Sequence, residues 1–73
     1  MNMTLNEFIR LSLSRVNSRG LYEELIERLA KSEYEDCLEN GINLDDGIEL
    51  KYALSRVINE AYFRINDRLS YLR

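Results

Sequence analysis

An all-α fold of three helices is predicted by three observations on this 73-residue chain. It has no proline and only three glycines, and these fall at the edges of amphipathic segments. Those segments are rich in Leu, Glu and Arg, side chains that lose little rotamer freedom in a helix. Charge also follows the segments. Residues 1–20 carry Arg10, Arg15 and Arg19 against Glu7, and residues 21–49 carry ten acidic side chains against Arg28 and Lys31. Residues 50–73 carry Lys51, Arg56, Arg64, Arg68 and Arg73 against Glu60 and Asp67, so the blocks hold +2, −8 and +3. Opposite charges therefore meet wherever the helices pack, within one chain or between two.

The first helix is expected over about residues 5–18. Thr4 and Glu7 form a T-x-x-E capping box that satisfies orphan amides of the first turn. At 100° per residue Leu5, Phe8, Ile9, Leu13 and Val16 share a sector, with Arg10, Ser14 and Asn17 opposite. Gly20 is the expected stop, because glycine tolerates the left-handed closing conformation, and Ser18 is the expected N-cap of the next helix.

The second helix is expected over residues 20–39. Leu21, Leu25, Ile26 and Leu29 lie on one side, and Glu23, Glu24, Glu27 and Arg28 point away from them. Tyr34, Cys37 and Leu38 lie about 120° around from that stripe. The shift predicts either one helix that turns its buried face to a second neighbour or a break near Lys31 with a restart at Ser32 and Glu35; the continuous helix is the favoured form. Asn40 and Gly41 end it, with Ile42 placed for the apolar contact of such a terminus. Cys37 is expected to be a small buried hydrophobe.

The stretch from Asn43 to Gly47 reads as a turn, with Asp46 as N-cap and Glu49 as the acidic third residue of a helix over residues 46–72. Leu50, Leu54, Ile58, Ala61, Ile65, Leu69 and Leu72 form its main stripe. Arg56, Glu60, Arg64 and Arg68 form the opposite face, where Arg56/Glu60 and Glu60/Arg64 are i,i+4 pairs. Tyr52 and Phe63 fall together on a flank outside the main stripe, which predicts a second neighbour for this helix.

One helical domain over residues 1–73 is the expected organisation, and a chain of this size gains from oligomerisation. Symmetric dimers are the commonest assemblies, so a homodimeric helical bundle is expected, with Leu54, Ile58, Ala61, Ile65, Leu69 and Leu72 as its core. The longest apolar runs are three residues, far below the roughly 20 of a membrane helix, and the start lacks the cationic flank and apolar stretch of a signal peptide. A cytoplasmic protein without membrane contact is expected.

Histidine is absent, which removes the usual general base near neutral pH and the usual zinc ligand. The acidic turn does not fit a calcium loop: with Gly47 at the invariant sixth position, Ile42, Leu44 and Ala53 occupy positions that need oxygen ligands. The isolated glycines form no phosphate loop. No catalytic residue, metal or cofactor is therefore expected. A helix-turn-helix built on residues 33–40 would begin its reading helix with Asp45, Asp46 and Glu49, which repel phosphate, so nucleic acid is an improbable partner. The expected function is that of a small, non-enzymatic bacterial or phage accessory or regulatory protein acting by protein–protein interaction. Its expected partner-binding residues are Tyr52 and Phe63, together with Glu23, Glu24 and Glu27. The alternatives are an acidic nucleic-acid mimic that inhibits a host protein, drawing on Glu33, Glu35, Asp36 and Glu39 as well, and a DNA-binding regulator.

Overall fold

Thr4 opens the first helix, with its Oγ1 accepting from the Glu7 amide at 3.1 Å and donating to the Glu7 carboxylate at 3.2 Å. The computed structural model describes residues 2–16 and 22–71, the side chains of 67–71 excepted. Three helices are present among them: α1 (Leu5–Arg15), α2 (Glu23–Glu39) and α3 (Gly47–Tyr71). No described helix is long and apolar enough to cross a membrane. The expected roles of Asn17, Ser18, Gly20, Leu21 and Leu72, and the side chains of Arg68 and Leu69, lie outside what is described.

α1 ends earlier than the expected residue 18. Val16 leaves the helical region (φ −100°, ψ 105°) while its amide still reaches the Ser12 carbonyl. In that conformation Val16 is buried against Ile26 and Ala61, and this apolar burial replaces another turn of helix. Ser12, not foreseen as a core residue, is fully buried; its hydroxyl donates to the Phe8 carbonyl at 2.9 Å, so no polar atom is stranded.

α2 starts at Glu23, later than the expected residue 20. Tyr22 is its N-cap in the left-handed region (φ 64°) and makes no side-chain cap; Glu23 and Glu24 place negative charge at the positive end of the helix instead. The helix runs unbroken through Lys31, so Ser32 and Glu35 do not restart it. Its buried residues shift from Ile26 and Ala30 to Cys37 along its length, and each end serves a different cluster. Val16, Ile26 and Ala61 form one, edged by Leu13, Tyr22 and Ile58. Phe8, Ala30, Cys37, Leu44, Ala53, Leu54 and Val57 form the other, and Leu29 packs against both. Leu38, expected in the second apolar sector, is 51% exposed.

α2 closes as the Asn40–Gly41 pair predicts. Gly41 takes φ +70°, its amide donates to the Leu38 carbonyl at 3.3 Å, and the Ile42 amide donates to the Cys37 carbonyl at 2.9 Å. These are the two bonds of the Schellman terminus, and Ile42 packs on the core as that motif requires. Asn43 then makes an Asx turn to the Asp45 amide, and Leu44 drops fully into the core. Asp46 Oδ1 caps α3 by accepting from Ile48 and Glu49 at 2.9 and 3.4 Å. The Glu49 carboxylate does not close a reciprocal box; it accepts from the Asn43 amide at 2.6 Å and braces the turn.

The N-terminal segment is tied to this turn. Asp45 accepts from the Asn2 and Met3 amides at 2.7 and 2.9 Å, and the Tyr34 hydroxyl donates to the Met3 carbonyl at 2.7 Å. Between them α2 packs on both neighbours, and α1 touches α3 less. α3, about 37 Å long at 1.5 Å per residue, sets the 43 Å long axis of the molecule.

Candidate functional site

The core face of α3 is centred on Ala53, Leu54, Val57 and Ala61, all buried. Ala53 and Val57 lie on a sector that the expected stripe omitted, and Leu50, Ile58 and Ile65, which it included, are half-buried at the edge. Leu54 and Ala61, expected in a dimer core, are covered by the chain's own helices.

Half a turn from that face, at 100° per residue, lies a different surface. Ile48, Tyr52, Ser55, Asn59, Tyr62 and Asn66 recur there at spacings of four, three, four, three and four, with Phe63 beside Tyr62. All are exposed. Ile48 and Phe63 are each 68% exposed, Tyr52 62% and Tyr62 48%. At roughly 150–250 Å² per aromatic side chain, these four residues present on the order of 500 Å² to solvent, near the upper end for the largest apolar patch of a monomer. None of the six is charged, although 32% of the chain is, and the exposed Lys51 flanks the strip on one side as Phe63 does on the other. Tyr52 and Phe63 thus share one face, and sequence reasoning missed Ile48, Ser55, Asn59, Tyr62 and Asn66 around them. Their four-three spacing groups them on one helix face in the sequence but does not say that this face is the exposed one.

Glu23, Glu24 and Glu27 are exposed on the first turns of α2. Among the described residues, no hydrogen bond or ion pair joins them to the α3 strip; Glu24 pairs with Arg28 at 3.6 Å. Several other acids of the middle block hold the fold. Asp45, Asp46 and Glu49 accept backbone amides around the turn, and Glu33 pairs with Arg56 of α3. No protein-family model, curated protein or solved structure matches the chain.

The Glu33–Arg56 pair replaces the expected Arg56/Glu60 pair, whereas Glu60/Arg64 forms at 2.9 Å. Glu33 is the less exposed acid, its side chain at 14%, so a cation there offsets more desolvation than at Glu60. Cys37 lies beside this pair. It is 1% exposed; burial first and the Glu33 charge second push its thiol up, with Arg56 pulling it back down. A raised thiol is a poor nucleophile near neutral pH, which fits the expected packing role.

Proposed function

We propose that this chain is a non-enzymatic interaction module, a small accessory or regulatory protein of bacterial or phage type that works in the cytoplasm by binding another protein. The observation that carries this reading is the outer face of α3, where Ile48, Tyr52, Tyr62 and Phe63 are all exposed. Aromatic side chains are enriched at interaction hot spots. The acidic block supports nucleic-acid mimicry less well, because Glu33, Asp45, Asp46 and Glu49 are committed to bonds inside the fold. Asp46 and Glu49 at the start of α3 likewise oppose a phosphate backbone.

The test uses a tagged chain to capture its partner from the native host lysate, followed by affinity measurements on variants. Tyr52→Ala and Phe63→Ala are each expected to weaken the complex by about 1–3 kcal/mol, at low and high salt alike. Glu23, Glu24 and Glu27 changed together to Gln are expected to alter only the association rate at low salt. Loss of binding in the Gln variant alone would overturn this reading in favour of the mimic.

A further inference from the structure

Between α1 and α3, the helices that pack least on one another, lies a groove of about 400 Å³ lined by Arg15, Gly47, Leu50, Lys51 and Leu54. Its floor is apolar, with Leu54 4% exposed and Leu50 half-buried. Its walls are cationic. Arg15 comes from the last turn of α1 and Lys51 from the second turn of α3, and both are exposed. No acid lines the groove, although the chain holds 13 acidic side chains against 10 cationic ones.

Sequence neighbours set these two cations apart. On a helix the local partner of a cation is an acid three or four positions away. Arg10 has Glu7, Arg28 has Glu24, Lys31 has Glu27 and Glu35, and Arg56 and Arg64 have Glu60. Arg15, the last residue of α1, has Leu11 and Ser12 at those positions, and Lys51 has Gly47, Ile48, Leu54 and Ser55. Among the described residues neither makes an ion pair. The two described cations without a local acid are thus the two that line this groove.

We infer that the groove receives an acidic residue of the partner protein, its carboxylate between Arg15 and Lys51 and an adjoining apolar side chain on Leu50 and Leu54. This rests on the reading that α3 carries the partner-binding surface, and it names the chemistry recognised at one end of that surface. The Arg15 guanidinium offers the fork of donors that suits a carboxylate, and Lys51 adds a point charge. At 100° per residue Lys51 falls about midway between Leu54 in the groove and Ile48 on the outer strip, so a segment lying on Ile48 and Tyr52 reaches the groove across Lys51. A Cβ at Gly47 would meet no atom within 4 Å, which leaves that crossing open. An extended phosphate backbone, by contrast, gains nothing from Leu50 and Leu54 and meets Asp46 and Glu49, which adjoin Gly47 and Leu50 in sequence.

The probe is acetyl-Leu-Glu-Leu-amide, with acetyl-Leu-Gln-Leu-amide and inorganic phosphate as comparisons, titrated into the labelled full chain at low salt and followed by amide chemical shifts. The Glu peptide is expected to move the Arg15, Gly47, Leu50 and Lys51 amides saturably in the millimolar range. The Gln peptide is expected to bind about threefold or more weakly, the scale of an exposed ion pair. Arg15→Gln combined with Lys51→Gln removes the difference between the peptides, and Lys31→Gln leaves it, with helix content by circular dichroism as in the wild type. Absence of a saturable shift, equal binding of the two peptides, an equal response to phosphate, or a difference that survives the paired substitution would each overturn the inference. So would a mass above 8.7 kDa that Lys51→Gln returns to 8.7 kDa, because the occupant would then be a second copy. In the captured complex the paired substitution is expected to weaken binding more at low salt than at high salt. A complex weakened by Tyr52→Ala but indifferent to the paired substitution would overturn the inference and leave the proposed function standing.

Discussion

Glu33 and Arg56 form the one ion pair that links α2 to α3 among the described residues. Their exposures differ, with the Glu33 side chain at 14% and that of Arg56 at 51%, so removing one is not equivalent to removing the other. Arg56→Ala leaves a half-buried carboxylate without its cation and is expected to cost about 1 kcal/mol, above a typical surface pair. Arg56→Lys should recover only part of this, since an ammonium lacks the fixed donor geometry of the guanidinium. Urea midpoints of the two variants at low salt check the order.

The same pair bears on alkaline stability. The Cys37 thiol is held up in the folded chain, mainly by burial and then by Glu33. A folded value above the unfolded one means that the contribution of this thiol is complete below the ordinary thiol range, about 8.5, and is lost as pH rises toward the folded value. Stability measured from pH 7 upward is expected to fall more steeply in the wild type than in Cys37→Ala. Equal slopes would show that other groups govern the decline.

Asp45 gives the opposite sign. The Asn2 amide first and the Met3 amide with it hold its carboxyl below the usual range. Its contribution is complete above the unfolded value of about 3.9 and is lost as pH falls through the lower folded value. The amide resonances of Asn2 and Met3 should report one titration below pH 3.9 and should lose it in Asp45→Asn.

Two glycines separate by backbone conformation alone. A Cβ at either Gly41 or Gly47 meets no atom within 4 Å, yet Gly41 sits at φ +70°. Gly41→Ala is expected to destabilise by about 1 kcal/mol through left-handed strain. Gly47→Ala, in the first turn of α3, is expected to stabilise by about 0.5 kcal/mol, as alanine holds a helix better and restricts the unfolded chain. Thermal melts of the two variants should move in opposite directions.

Much of the fold is legible in the sequence where a local rule decides it: the Thr4 cap, the Asn40–Gly41 terminus with Ile42, and the Asp46 cap are all present as the residue types imply. What is not legible depends on the tertiary neighbour. Ser12 looks polar and is buried because its hydroxyl can bond its own helix; Leu44 looks like a turn residue and is a core residue because the turn points it inward. On α3, Leu50 through Leu72 read as the stripe, but α2 covers a sector shifted toward Ala53 and Val57. Leu44→Ala is accordingly expected to cost about 2–5 kcal/mol and the half-buried Ile65→Ala less than about 1.5, in chemical denaturation of each variant. The outer strip escapes a search for apolar residues because half its members are Ser and Asn; it emerges only once exposure identifies that side as opposite the core.

The connector between α2 and α3 has its backbone groups bonded at Gly41, Ile42, Asn43, Asp45 and Asp46, and it is anchored by Leu44 and clasped through Asp45 to the N-terminal segment. Such a connector cannot act as a hinge. Swinging α3 away from its own α2 would break the clasp and unseat Leu44 together, so trading of helices between chains is barred short of global unfolding. Any association of copies is therefore expected between finished folds. Labelled and unlabelled populations should exchange subunits on the timescale of simple dissociation, at a rate untouched by substitutions that alter only unfolding.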